Sequence, residues 1–159
     1  MAISKKDILQ KRFSKLAKHV KTLSDYQMLI DGILKTKDIY NPKIFEHLMP
    51  QELAILDAYL KRFSAIQDFL GAKILPMLFE SAGIPSQSMS ETLYHAVKEG
   101  IIDSLENWVE LRDVRNDLEH DYPDEITETL KELKFCIDHC VQIIRYCEHS
   151  QRFFIKMGN

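Results

Sequence analysis

Apolar residues recur along this chain at alternating intervals of four and three, and that rhythm limits the fold more than any other feature. Leu9, Phe13, Leu16, Val20, Leu23, Ile30 and Leu34 form one such run, with Gln27 filling the remaining step. At 3.6 residues per turn these positions share one face, so the spacing predicts a long helix that starts at a Ser4 cap and ends near Leu34. Ile39-Tyr40-Asn41-Pro42 interrupts the rhythm. Pro50 suits the first turn of a second helix, where a missing N–H costs nothing. The stripe of that helix is Leu53, Leu56, Leu60, Phe63, Gln67, Leu70, Ile74 and Met77. Pro76 should kink or loosen its end, because proline removes a donor and clashes with the preceding turn. After a loop from Gly83 to Ser90, a short helix is expected over 91–99. A fourth helix follows, capped by Asp103 or Ser104 and carrying Trp108, Leu111 and Leu118. Pro123 and Asp124 separate it from a last long helix with the stripe Ile126, Leu130, Leu133, Ile137, Cys140, Ile144 and Cys147.

Three long and two shorter helices, each with one apolar stripe, can bury those stripes only against one another. The expectation is therefore all-α: an up-and-down bundle of four to five helices in one domain spanning 1–159. No apolar run approaches the roughly 20 residues that a membrane-spanning helix needs, and the lysine-rich beginning lacks the apolar stretch of a secretion signal. A cytoplasmic location with no membrane partner is expected. Cys136, Cys140 and Cys147 are odd in number and crowded into one segment, unlike the framework of a secreted disulfide-rich domain.

The formal charge of −3 conceals an asymmetry. Residues 1–24 hold Lys5, Lys6, Lys11, Arg12, Lys15, Lys18 and Lys21 against Asp7 alone, which leaves about −9 for the rest. A polyanion would be drawn to the first helix; the plainer reading is a solvated helix face. Gln27 and Gln67 each interrupt an apolar stripe, and their amides would meet and fix register if the first two helices pack antiparallel. Cys136, His139 and Cys140 have helical spacing open to a metal ion, but two lie where a free cysteine acts as a small hydrophobe, and no metal is expected.

Neither a glycine-rich phosphate loop, nor a nucleophile-elbow serine, nor a Cys-x-x-Cys pair is present. What remains is Arg115-Asn116-Asp117-Leu118-Glu119-His120-Asp121-Tyr122. Five residues along an ideal helix turn the side-chain direction by about 140°, so Arg115 and His120 converge only if the helix ends or loosens before His120. Pro123 disfavours helical geometry at Tyr122, which places the end around His120 to Asp121. In an extended exit Tyr122 would align with His120. Arg115 and His120 are read as lying near a helix end and off the core stripe.

In Arg115, Asn116 and His120 the sequence resembles the HEPN superfamily, whose signature is an Arg, commonly followed by a polar residue, then a His after four to six intervening residues. The longer pattern Arg-x4-His-x-Tyr, filled by Arg115, His120 and Tyr122, is similar to that of the HepT toxins. The stretch from Arg62 to Asp68 also looks like the second helix of HEPN proteins related to HepT. The resemblance implies a bundle that dimerises with two motifs facing one cleft and cuts RNA without a metal or other cofactor. It also implies a partner, an MntA-type nucleotidyltransferase antitoxin that transfers AMP to the motif tyrosine, here Tyr122.

The residue types suit that chemistry. Metal-free RNA cleavage needs a base for the 2′-hydroxyl, an acid for the leaving oxygen and a cation for charge developing on phosphorus. Imidazole, with an unperturbed pKa of about 6.5, fills either proton role, and guanidinium offers a planar fork to phosphate oxygens. Arg115 and His120 are thus the expected catalytic residues, with Asn116 in support and Tyr122 as the AMP acceptor. One feature opposes this: between Asp103 and Glu132 eleven acids face only Arg112, Arg115 and Lys131. The alternative expectation is a non-catalytic substrate- or nucleotide-binding partner of a small nucleotidyltransferase, and a third is a structural helical protein whose motif caps a helix.

Overall fold

The computed structural model describes residues 3–120 and 125–158, and for His120 the backbone alone. Every regular element among them is helical. Helix α1 runs Lys5–Leu34, its first turn closed by Ser4, whose hydroxyl accepts from the Asp7 amide at 3.1 Å. The interruption expected around Pro42 contains a short helix of its own, α2 (Pro42–Glu46), because Asn41 accepts from the amides of Lys43 and Ile44. Helix α3 spans Pro50–Phe69 with Pro50 in its first turn.

The loosening expected at Pro76 takes a definite form. One π turn, Leu70–Ile74, follows α3 directly, and α4 (Leu75–Ser81) continues from it. A π turn absorbs the helix hydrogen bond that proline cannot make. Helix α5 is Met89–Lys98, capped by Ser88, and α6 is Leu105–His120, begun by Ser104, whose hydroxyl accepts from the Asn107 amide at 3.0 Å. The last long helix is instead two: α7 (Ile126–Asp138) and α8 (Cys140–Lys156). His139 leaves helical geometry at φ −96° and ψ 13°, and its ring Nδ1 lies 2.6 Å from the carbonyl of Phe135, which also accepts the His139 amide. The break rotates the second half, so Ile143, Tyr146 and Phe154 line the core where a continuous helix would have turned Ile144 inward.

Helix α1 runs antiparallel to the arm formed by α3 and α4. On α1 and the α3–α4 arm the pairs are His19 with Arg62, Lys15 with Phe69, Arg12 with the Lys73 carbonyl and Lys5 with Glu80. Phe13 of α1 stacks on Phe154 of α8, with ring centroids 5.0 Å apart. The core between them holds Leu9, Leu23, Ile30, Tyr59, Phe63, Ile66, Leu70, Phe79 and Ile143, all fully buried. Leu53 and Ile126, assigned to stripes by spacing, sit in first turns and remain exposed. Tyr59 donates to the carbonyl of Cys136 at 2.7 Å, joining α3 to α7 inside this core. No helix among the described residues is long and apolar enough to cross a membrane.

Candidate functional site

Helix α6 meets α3 along a seam that is polar instead of apolar. Trp108, Leu111, Arg115 and Leu118 follow one another at intervals of three, four and three, so Arg115 occupies the buried stripe of α6 and is only 4% exposed. That corrects the expectation of an Arg115 off the core stripe. The rhythm was present in the sequence, and the charge of arginine hid it.

A buried guanidinium needs its donors satisfied and its charge balanced. Helix α3 supplies both from Gln67 and Asp68. The Arg115 Nε donates to Gln67 Oε1 at 2.7 Å, Nη2 donates to Asp68 Oδ1 at 2.5 Å, and Nη1 donates to Asn116 Oδ1 at 3.1 Å. Gln67 turns its other end to α6, where its Nε2 donates to the Trp108 carbonyl at 2.9 Å. One turn away, Ser64 donates to Glu119, whose second oxygen lies 4.0 Å from Arg115 Nη1. Ser64, Gln67 and Asp68 stand at i, i+3 and i+4, the spacing that puts three side chains on one helix face. The two amides expected to pair do not meet. Gln67 belongs to this seam, while Gln27 bonds Asp31 within its own helix at 3.0 Å.

The seam has one open end. The Asp68 side chain is 68% exposed against 5% for Arg115, so the ion pair points outward through its carboxylate. An anion approaching from solvent therefore reaches Nη2 by displacing Asp68. The seam also continues inward: Gly71 of the π turn leaves room for the Trp108 ring, because a Cβ there would lie 3.0 Å from Trp108 Cζ2.

Helix α6 keeps helical geometry through His120, so it does not loosen before that residue as convergence with Arg115 in one chain would need. Tyr122, with Asp121 and Pro123, lies outside the described residues. The acids expected to surround the motif are sorted by the helix. Glu106, Glu110, Asp113 and Asp117 follow at four, three and four, about 180° from Arg115 around the α6 axis. They border a shallow groove of about 520 Å³ with Leu105, Val109 and Val114.

On its other side α3 faces the cations of α1. Arg62 Nη1 donates to His19 Nδ1 at 2.7 Å, and Lys15 Nζ sits 5.2 Å from the Phe69 ring centre. Burial, then the charges of Arg62 and Lys15, hold the His19 pKa below its usual value. Since α3 lies between them, this basic seam and the Arg115 seam are about one helix spacing apart, ~8–10 Å.

The cysteines are core residues. Cys136 is fully buried, and burial, with Glu132 adding to it, pushes its thiol up to about 12. Cys140 is buried as well, and His139 is turned to the Phe135 carbonyl. Comparison of the chain with family models, curated proteins and solved structures gives no match.

Proposed function

We propose that this chain is a HEPN-type, HepT-like ribonuclease that acts as a homodimer and is silenced when a small nucleotidyltransferase places AMP on Tyr122. The observation that carries the reading is the Arg115–Asn116 pair. Helix α3 pins the guanidinium in one orientation, Asn116 on α6 accepts from its Nη1, and the group is reachable at its outer edge. A guanidinium fixed before substrate arrives stabilises the charge developing on phosphorus without reorganising, which is where electrostatic catalysis draws its strength. The phosphate takes the place of the Asp68 carboxylate, and Asn116 holds the fork in plane. His120 moves the proton of the 2′-hydroxyl or of the leaving oxygen.

Helical geometry continuing through His120 supports the paired arrangement. Within one chain the two positions diverge by about 140° around the axis, so the imidazole serving one Arg115 comes from the second copy. The basic α1 seam, one helix spacing away, supplies the attraction for RNA that the acids of α6 deny. AMP on Tyr122 would bring a phosphodiester to compete for Arg115 and fill the cleft with adenosine.

A second reading is favoured by the acidic groove of α6. Leu105, Val109 and Val114 between four carboxylates make a surface suited to a basic, partly apolar partner, as in a non-catalytic module that docks a nucleotidyltransferase. Expression of the chain alone separates the two. The ribonuclease reading expects growth arrest with progressive loss of RNA integrity, abolished by His120→Ala and by co-expression of the transferase, and AMP found by mass spectrometry on the Tyr122 peptide. Intact RNA with stable binding to the transferase selects the docking reading.

A further inference from the structure

We propose that the outer face of α8 binds a nucleoside diphosphate or an organic polyphosphate of similar size, at a site separate from the Arg115 seam. Arg145, His149, Arg152 and Lys156 stand at intervals of four, three and four, within about 60° of one another around the helix. They extend over about 16 Å. Two cavities of about 430 and 570 Å³ lie along this line and share Gly100 and His149 at their border. Both volumes are those of small-molecule sites.

These cations form no direct ion pair among the described residues. Among the described residues no carboxylate pairs with Arg145, Arg152 or Lys156, although like charges at this spacing destabilise a helix. Complementing the helix dipole accounts for Lys156 and Arg152 near the C-terminal end, but not for Arg145 in the first half of α8. Acids lie nearby without bonding these cations: Asp103 stays an anion held by Tyr146 at 2.5 Å, Gln142 at 2.7 Å and Asn107 at 3.0 Å, Glu99 lines the smaller cavity, and Glu148 flanks the row on α8.

The rest of the lining explains why a nucleotide fits better than a bare anion. The His149 ring is oriented by Nδ1, which donates to the Ile101 carbonyl at 3.2 Å, so Nε2 accepts in the neutral ring and donates to a phosphate oxygen when the ring is protonated. The smaller cavity offers Phe153 and Met157, an apolar wall for a flat base, beside the two cations of the last turns. Arginine forks grip phosphate oxygens in pairs.

The test is fluorescence anisotropy of a labelled ADP titrated with the full chain, with unlabelled ADP, inorganic phosphate and adenosine as competitors. Saturable binding is expected, displaced by ADP well before phosphate or adenosine. Arg145→Glu and Arg152→Glu should each weaken it at least tenfold with helical content unchanged, whereas Lys43→Glu on α2 should not. Absence of saturable binding at millimolar protein, displacement by phosphate as readily as by ADP, or full affinity in both α8 variants would overturn the proposal, the last also if Arg115→Ala loses binding.

Discussion

Under the proposed reading the Arg115 side chain has a structural and a chemical role at once. Its guanidinium closes the α3–α6 seam from inside, so truncation does more than remove a charge: it strands the Gln67 carbonyl oxygen, a buried acceptor. Arg115→Ala should therefore lose about 1–3 kcal/mol of stability in urea unfolding, the cost of one unsatisfied buried polar group, and its loss of function alone cannot prove catalysis. Asp68→Asn separates the two roles. The amide oxygen still accepts from Nη2, but the competing charge is gone, and the position is exposed. Stability should fall by about 1–2 kcal/mol, because the buried guanidinium keeps its hydrogen bond but loses a carboxylate that balances its charge, while RNA binds more tightly in anisotropy titrations. Weaker binding would mean that Asp68 positions the guanidinium and does not compete for it. Gly71 marks the same seam from the other side. An added methyl meets a Trp108 ring that is 3% exposed and packed near Tyr146, so the ring has little room to yield. Overpacking of about 1–3 kcal/mol against a helix-propensity gain of up to about 1 leaves Gly71→Ala destabilised by roughly 1 kcal/mol in the same unfolding assay.

At the scale of elements, the seam between α1 and α3 titrates. His19 has its pKa lowered by burial, Arg62 and Lys15, so the unfolded chain binds a proton more readily than the folded one. Stability rises with pH wherever that holds. The contribution is complete above the unfolded value of about 6.5 and is lost as pH falls from there toward the lower folded value. Chemical denaturation between pH 5 and 7.5 should show that slope, and His19→Gln should flatten it. Most element positions were legible because they are written in local chemistry: Ser4 and Ser104 as caps, Pro50 as a first-turn residue, and the four-three rhythm of α1. What the rhythm could not show was where a helix changes phase. The π turn at Leu70–Ile74 and the break at His139 shift the stripe, and each depends on how the segment meets its neighbours. The polar seam was hidden for a related reason: Gln67 and Arg115 each look like an interruption alone, and only the antiparallel approach of α3 and α6 turns two interruptions into one bonded pair.

At the scale of the whole molecule, the proposed chemistry turns on which chain's imidazole serves which guanidinium. Helix α6 runs unbroken from Arg115 to His120, and five residues of helix set the two positions about 140° apart around its axis. If the reaction needs both, its centre is shared between two copies related by a two-fold axis, with Arg115 from one and His120 from the other. Two variants, each inactive alone, test this directly. Arg115→Gln keeps a hydrogen-bonding side chain in the seam, and His120→Ala removes the proton carrier. Mixed in equal amounts and allowed to exchange, they form mixed dimers as about half the population, and each mixed dimer rebuilds one of its two centres. Cleavage of a fluorescent RNA should then recover to about one quarter of the wild-type rate, rising with total protein as dimers form. A site contained within one chain gives no recovery at any mixing ratio, because neither variant carries both groups. Sedimentation of the same mixture fixes the dimer fraction, so silence in fully dimeric protein would count against the shared centre and not against association.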